Sequence, residues 1–243
     1  RFVRYAARVA LEHQPVVDWQ EKALEEEDPQ TLLSALLALS RQGDAALKDD
    51  ILNALSMLKV SEMTETQKLE ALRVMGLTFI RMGGPDEETA QEIAEAISPL
   101  YPAPSDAMNR ELVAMLVYLK AEDVLAKTIP LMNQQAAGLE EIEFDDKLLA
   151  RSGQYGKSFQ NQKANNPQRQ QIWYAYALKN VEEGWNENLR KQFFGWFAKS
   201  RNFKGGASFG GFINNFRNES LSKIKDAKVK AEMDSLSKKQ VAL

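Results

Sequence analysis

Cysteine is absent from the chain, and histidine occurs only once, at His13. Without a thiol, these 243 residues can form no disulfide, thiolate metal site, cysteine nucleophile or Cys-x-x-Cys-His haem attachment. One imidazole cannot make a histidine-rich metal site, and the position of His13 before a proline indicates a hydrogen-bonded histidine at a helix end. We therefore predict that these residues hold no metal and no cofactor.

Long apolar runs are also missing from the sequence. No segment approaches the roughly 18 uninterrupted apolar residues of a membrane-spanning helix, and residues 1–4 do not begin an apolar signal block. The hydrophobic content of 44% is nevertheless enough for a continuous core in a chain of this length. Because the chain does not start with methionine, we expect an internal fragment or a processed product.

Charged and aromatic residues are divided unevenly along the chain. Residues 1–150 contain 14 lysines and arginines against 27 aspartates and glutamates, whereas residues 151–243 contain 17 against 7. The net charge of −3 therefore conceals an acidic first part and a basic second part. Of the 21 aromatic residues, 14 follow residue 150. This asymmetry predicts two structural units, or a basic face that meets an acidic partner.

Amphipathic helices recur about every 38 to 40 residues, most clearly at 32–43, 72–83 and 112–123. The segments 33–43 and 74–83 both consist of small and apolar residues and end in an arginine and a glycine. Repeats of roughly 40 to 47 residues are typical of HEAT and armadillo helix pairs. Because no segment alternates as a strand does, we predict an all-α fold, a HEAT/armadillo-like right-handed superhelix or solenoid.

A polar segment suggests the division into domains. Residues 151–168 contain glycines, asparagines and a proline with few apolar residues, which is typical of a loop or linker. We therefore predict HEAT-like helical repeats over 1–150 and a polar loop or linker over 151–168. An aromatic-rich C-terminal helical module is predicted over 169–243, packed on the solenoid.

Several helix boundaries carry local signals. Asp28 before a proline and Thr64 in a capping box each predict a helix start. Asp86, Glu87 and Glu88 place negative charge at the positive end of the next helix, predicted from Thr89. Pro130 should end or kink the helix that contains it. A last helical stretch is predicted over about 212–236. Further helices are predicted over 89–100, 106–120, 123–133, 170–181 and 186–199.

Two glycine-rich segments resemble anion-binding loops. Residues 153–158 end in Gly-Lys-Ser, but Arg151 stands where a phosphate-binding loop needs its first glycine, and an all-α chain lacks the preceding strand. The second segment, 205–211, could hold an anion beside Lys204 and Arg217. Glycines more often allow tight packing where a helix reverses direction, so a structural interpretation is favoured for both segments.

The aromatic residues of the basic part suggest a stacking surface for bases or sugars, because arginines and lysines lie between them. Their helical spacing indicates burial instead: Trp173 and Tyr176 share one face, as do Phe193, Trp196 and Phe197. We therefore expect most of these rings to fill a core.

The remaining charged clusters also have simple explanations. Acidic residues interrupt the lysines of 223–239, as in a solvated helix face. The acidic clusters at 25–28 and 140–146 lie at helix edges, not in apolar surroundings that would raise a pKa for acid catalysis.

Residues 171–185 (QIWYAYALKNVEEGW), 189–197 (LRKQFFGWF) and 205–213 (GGASFGGFI) carry a family resemblance, and residues 4–19 add to it. They resemble the HEAT-repeat region of large multidomain bacterial proteins, found among planctomycetes and related bacteria, that carry a c-type cytochrome domain. The resemblance implies an exported, periplasmic or otherwise extracytoplasmic parent, in which this region is a spacer or docking region. It carries over no catalytic residue, since this chain has no cysteine for a covalent haem.

The predicted function is a non-catalytic helical-repeat scaffold or domain-docking region, a fragment of a larger exported redox protein. Its expected partners are neighbouring domains of the same polypeptide or another protein. The surfaces predicted to meet a partner are the segments 155–168 and 199–217. The residues predicted to make the contact are Tyr155, Lys157, Arg169, Lys204 and Arg217.

Two other classes of function stay open. The basic part could bind nucleic acid or another acidic partner, in which case affinity should fall steeply with salt. A hydrolase or lyase built on helical repeats would need a pocket with paired acids of raised pKa, and the sequence offers no obvious pair.

Overall fold

The computed structural model describes residues 2–134, 151, 153, 168–203 and 208–239. Within those residues it contains twelve α-helices, a few short 3₁₀ turns and no strand. The all-α fold expected from the sequence is therefore confirmed. The chain divides into two compact units, residues 1–119 and residues 120–243.

The first unit has two layers of helices. Its helices are α1 (Phe2–Glu12), α2 (Gln20–Leu24), α3 (Pro29–Gln42), α4 (Lys48–Ser56), α5 (Glu65–Met82), α6 (Glu87–Ile97) and α7 (Asp106–Tyr118). Helices α1, α3, α5 and α7 form a row in which each packs against the next. Helices α2 and α4 touch each other and pack against this row, and α6 packs on α7.

The core of the first unit follows from the spacing of apolar residues in the row. Leu33, Leu36 and Leu39 of α3 recur every three residues and are fully buried, as are Leu112 and Leu116 of α7. Residues at this spacing share one face of a helix, so α3 and α7 each bury an apolar stripe.

Hydrogen bonds confirm the helix starts predicted at Asp28 and Thr64, and α6 begins at Glu87, two residues before the predicted helix of 89–100. The Asp28 side chain accepts from the Thr31 N–H at 2.8 Å, and Asp86 accepts from the Thr89 N–H at 2.8 Å. Thr64 begins α5 with the complete capping box predicted from the sequence. Each cap satisfies a backbone donor that the first helical turn cannot satisfy itself.

Helices α3 and α5 of the row run parallel in a nearly constant register. Gln30 of α3 donates to Glu70 of α5 at 2.6 Å, and Ser40 bonds Thr78 at 2.9 Å further along the same helices. The two pairs are 40 and 38 residues apart, and only parallel helices keep such an offset constant. Helices α5 and α7 show the same offset, because Ser105 donates to Glu65 across 40 residues.

The second unit contains α8 (Val124–Asn133), α9 (Arg169–Leu178), α10 (Glu187–Ser200), α11 (Phe209–Ser222) and α12 (Ala227–Lys238). Helix α10 packs against both α8 and α12, while α9 packs on α8 and touches α11. The predicted repeats of 1–150 included α8, but the structure packs α8 with α9 and α10. The predicted linker lies outside the described residues except for Arg151, Gly153 and Gln168.

The structure refines two boundary predictions in this unit. The last helical stretch consists of two helices, because the chain leaves α11 at Ser222 and Asp226 caps α12 by accepting from the Lys228 and Val229 N–H groups. Pro130 was expected to end or kink its helix; it does not end α8, which continues to Asn133 as predicted for 123–133.

Burial explains why the proline does not end α8. Pro130 itself is exposed, whereas Leu125, Ile129 and Met132 of the same helix are buried. A proline inside a helix costs about 3 kcal/mol, and tertiary packing of an apolar face can outweigh such a local preference.

Candidate functional site

Helices α9 and α11 are parallel neighbours and present the most distinctive exposed surface of the second unit. The Tyr176 and Phe216 rings lie 5.1 Å apart between centroids, and Lys179 forms an ion pair with Glu219. Both pairs are separated by 40 residues. The same register that joins the row helices of the first unit therefore joins these two helices.

Four aromatic rings form a continuous chain across the two helices. Trp173 and Tyr176 are 5.8 Å apart on α9, and Phe212 and Phe216 are 4.4 Å apart on α11. Their spacings of three and four residues place each pair on one helix face. Phe216 is buried, but Trp173, Tyr176 and Phe212 are 36%, 40% and 53% exposed. We call these three exposed residues the aromatic surface.

The charges beside the aromatic surface are compensated. The Lys179 Nζ lies 4.6 Å from the centroid of the Tyr176 ring and is paired with Glu219. Lys223 donates to the backbone carbonyl of Asn180 at 2.9 Å and is 3.4 Å from a Glu182 carboxylate oxygen. The aromatic surface is therefore apolar, and the lysines beside it are paired with carboxylates.

Most of the other rings fill a core, as the sequence predicted. Phe193, Trp196 and Phe197 of α10 are almost completely buried, and the Phe193 and Phe197 rings meet edge to face. The Trp196 indole N–H donates to the Gln171 side-chain oxygen at 2.9 Å, and Gln171 donates to the Gln134 carbonyl at 2.6 Å. These bonds satisfy the polar groups that accompany the buried ring.

Trp173 and Tyr176 share one face, as expected, but that face is partly exposed to solvent. Helical spacing identifies a common face without showing whether another helix covers it. Phe212 lies within the segment 199–217 that was predicted to meet a partner, but it was not among the individual residues predicted; its spacing of four residues from Phe216 was the available signal.

Arg217 lies inside the second unit and is not part of an open surface. Arg217 is only 6% exposed, and its guanidinium donates to the Ser237 hydroxyl at 2.7 Å and pairs with Asp234. It also donates to the side chain of Asn218 at 2.9 Å. These contacts tie α11 to α12, which is a structural role.

The other residues predicted to contact a partner are distributed differently. Arg169 is the first residue of α9 and is exposed. Tyr155, Lys157 and Lys204 lie outside the described residues. The structure describes only Arg169 and Arg217 of the five predicted residues, so a partner site that combines all five stays a prediction.

The acidic side chains of the described residues do not resemble a catalytic pair. Hydrogen bonds from Thr31 hold the pKa of Asp28 below its ordinary value, and those from Thr89 do the same for Asp86. The Lys191 ammonium lowers the pKa of Glu187. A general acid needs the opposite direction of shift.

The described residues contain no cluster of metal ligands, and one recess between helices of the second unit is small. No group of three or more potential metal ligands occurs in residues 2–134, 168–203 and 208–239. The recess between Leu178, Trp185 and Ile224 has a volume of about 10 Å³, which is room for about one water molecule.

Comparison of the chain with family models, curated proteins and solved structures finds no match. The resemblance to HEAT-repeat regions of cytochrome-containing proteins therefore stays a prediction. None of the described helices has both the length and the apolar composition needed to traverse a bilayer.

Proposed function

We propose that this chain is a non-catalytic scaffold built as a HEAT-like α-solenoid, on which the aromatic surface docks a neighbouring domain or a protein partner. The register of about 40 residues between parallel helices in each unit supports the repeat architecture. In solenoids each repeat contacts its neighbours along the row, and the stacked helices leave an extended surface for binding.

The aromatic surface is the single observation that favours docking. Tryptophan, tyrosine and phenylalanine are enriched at protein interfaces because a large ring buries much apolar area with little loss of conformational freedom. Trp173, Tyr176 and Phe212 are exposed next to one another, with their neighbouring lysines already paired. A partner with an apolar contact face matches this chemistry better than a strongly charged one.

The family resemblance adds a proposal about the partner. If the chain belongs to a cytochrome-containing protein, the docked group is a neighbouring redox or dehydrogenase-like domain of an exported polypeptide. The scaffold would then fix the distance and orientation of that domain without taking part in its chemistry.

A site-specific photocrosslinker tests the docking surface. Phe212 is replaced by benzoylphenylalanine in the full chain, and Tyr118 is replaced in the control, since both side chains are 53% exposed. In an extract of the native host, we expect the Phe212 position to capture one defined polypeptide that the Tyr118 position does not capture.

The captured polypeptide, once purified, should bind the full chain through the aromatic surface. Trp173→Ala and Phe212→Ala should each weaken that binding about tenfold or more, as removal of a ring at the centre of an interface does. Equal capture at both positions, or an affinity that neither substitution changes, would contradict the proposal.

Nucleic-acid binding is the second candidate, and the same aromatic rings favour it because bases stack on aromatic side chains. Phosphate contacts require available cations, however, and Lys179 and Lys223 are already paired with carboxylates. Fluorescence anisotropy with a labelled single-stranded oligonucleotide distinguishes the two functions. We expect no tight binding at physiological salt; tight binding that falls steeply with salt and is weakened by Trp173→Ala would establish the alternative.

A further inference from the structure

Lys179 and Lys223 occupy equivalent positions in the second unit. Each directly follows the last residue of its helix, Lys179 after α9 and Lys223 after α11. Each also forms an ion pair that joins α11 to the end of α9 or to the loop after it: Lys179 with Glu219, and Lys223 with Glu182. The two lysines differ in their other contacts, because the Lys179 ammonium also lies over aromatic rings.

The Lys179 ammonium is enclosed by two rings and a carboxylate. Its Nζ lies 4.6 Å from the centroid of the Tyr176 ring and 5.5 Å from the centroid of the Phe216 ring. Both distances fall within the roughly 6 Å over which a ring face attracts a cation. Glu219 pairs with the same ammonium, and the Lys179 side chain is only 14% exposed. One charged group therefore holds together a ring of α9, a ring of α11 and a carboxylate of α11.

Tyr176 is the ring of this group that needs such a contact, because it lies partly in water. It is 40% exposed, and its neighbour Trp173 on α9 is 36% exposed. Exposed side chains change rotamer within picoseconds to nanoseconds unless a contact restrains them. Phe216 is only 2% exposed and is therefore fixed by the core. The ammonium that lies over both rings ties the exposed Tyr176 to the fixed Phe216.

We propose that Lys179 and Glu219 form an ionic clamp that positions the Tyr176 ring and so prepares the aromatic surface for its partner. The clamp rests on the proposed docking function and adds a means of regulation to it. A surface whose side chains are already fixed loses less conformational freedom on binding, which raises affinity by about threefold to tenfold for each fixed side chain. Because Glu219 is 52% exposed, salt weakens the clamp. Salt should therefore weaken docking even though the aromatic surface itself is apolar.

Fluorine NMR of the free chain tests the clamp without a partner. The six tyrosines are labelled as 3-fluorotyrosine, and Tyr176→Phe identifies the Tyr176 resonance. Lys179→Met keeps a long side chain but removes the charge, and it should move this resonance toward that of 3-fluorotyrosine in water. Lys179→Arg retains a cation and should leave the resonance nearly in place. Added salt should move the resonance of the unmodified chain in the same direction as Lys179→Met does, and should not move that of Lys179→Met.

Lys223→Met is the matched control. It also removes a lysine from the end of a helix together with an ion pair of the second unit, so it should leave the Tyr176 resonance in place. Glu219→Gln changes an exposed side chain that the core does not need, and it should shift the resonance in the same direction as Lys179→Met. A resonance that neither Lys179→Met nor Glu219→Gln moves overturns the proposal. An equal shift in Lys223→Met overturns it as well.

The polypeptide captured through position 212, once purified, gives a second readout. Its affinity should be about threefold to tenfold lower for Lys179→Met than for the unmodified chain, whereas Lys179→Arg and Lys223→Met should bind as the unmodified chain does. The failures of the two proposals are distinguishable. An affinity that Trp173→Ala and Phe212→Ala leave unchanged contradicts the docking function, while the NMR result still decides whether the clamp exists. An affinity that these two substitutions lower but Lys179→Met does not overturns the role of the clamp in docking.

Discussion

Arg217 shows how one side chain joins two helices of the second unit. Its buried guanidinium contacts Ser237 and Asp234 of α12. We expect Arg217→Ala to lower the free energy of unfolding by about 2 kcal/mol, because it removes several hydrogen bonds to a charged group. Urea unfolding followed by tryptophan fluorescence measures this. Arg201→Ala, at an exposed arginine, should change stability by less than about 0.5 kcal/mol, and an equal effect of the two would contradict the assignment.

Asp234 makes the stability of this unit depend on pH. The Lys238 ammonium, and then the Arg217 guanidinium, hold the pKa of Asp234 below its ordinary value of 3.8. A carboxyl whose pKa is lowered by folding stabilises the protein above its unfolded pKa, and this contribution disappears as pH falls through the folded pKa. Asp234→Asn should therefore be less stable than the unmodified chain at neutral pH. The difference should shrink below pH 3.8 in urea titrations at several pH values, and a difference independent of pH would show that Asp234 does not titrate as described.

Sequence reasoning could not anticipate the burial of Arg217. Its acceptors lie 17 and 20 residues further along the chain, across a turn that the sequence was expected to continue as helix. In a sequence where that turn is not predicted, Arg217 resembles any solvated arginine beside a glycine-rich segment. Side-chain pairs across a turn depend on tertiary geometry, which composition and spacing do not encode.

Helix boundaries were predictable where the signal is local. Asp28 and Thr64 each cap a helix through a side chain three residues from its partner, so the sequence alone identified those starts. Asp86 caps α6 in the same way, although the sequence prediction began that helix at Thr89. Which face of a helix is buried is not a local property. The spacing in α1 predicts an amphipathic helix, but only its neighbours show that Arg8 faces inward and Phe2 outward.

Pro130 should be a source of instability within α8. It is the seventh residue of a ten-residue helix, where it cannot donate a backbone hydrogen bond. We expect Pro130→Ala to raise the free energy of unfolding by about 1 to 3 kcal/mol, because alanine restores the donor and has the highest helix propensity. Urea unfolding measures the change, with the exposed Ala126→Ser of the same helix as a control that should lower stability only slightly. A decrease for Pro130→Ala would mean that the proline ring is required for packing.

The whole molecule consists of two compact units that meet in sequence after Leu119. The sequence suggested a division near residue 150, where net charge and aromatic content change. Charge describes the surface of each part, whereas the structural division depends on which helices share a core. Since α8 shares its contacts with α9 and α10, the structural division precedes the change in charge.

Two compact units should not unfold in a single step. Three of the four tryptophans lie in the second unit, so fluorescence reports mainly on that unit, while far-UV circular dichroism reports on the helices of both. We expect the two urea transitions not to coincide. Leu36→Ala removes a fully buried side chain of the first unit and should cost about 2 to 5 kcal/mol there. It should shift the dichroism transition and leave the fluorescence midpoint in place; coincident curves that shift together would indicate one cooperative molecule.

Hydrogen-bonded residues of neighbouring helices are separated by a nearly constant number of residues, and this limits which insertions and deletions the protein can accept. Gln30 with Glu70, and Glu65 with Ser105, are joined across the same 40 residues. When a whole stretch of that length is duplicated or lost, each helix still packs against a helix of the same kind. Insertion of one codon inside a helix instead turns every later side chain by about 100° and breaks the pairing on both sides. Heritable changes in length should therefore be tolerated in multiples of the spacing, and otherwise only in the turns.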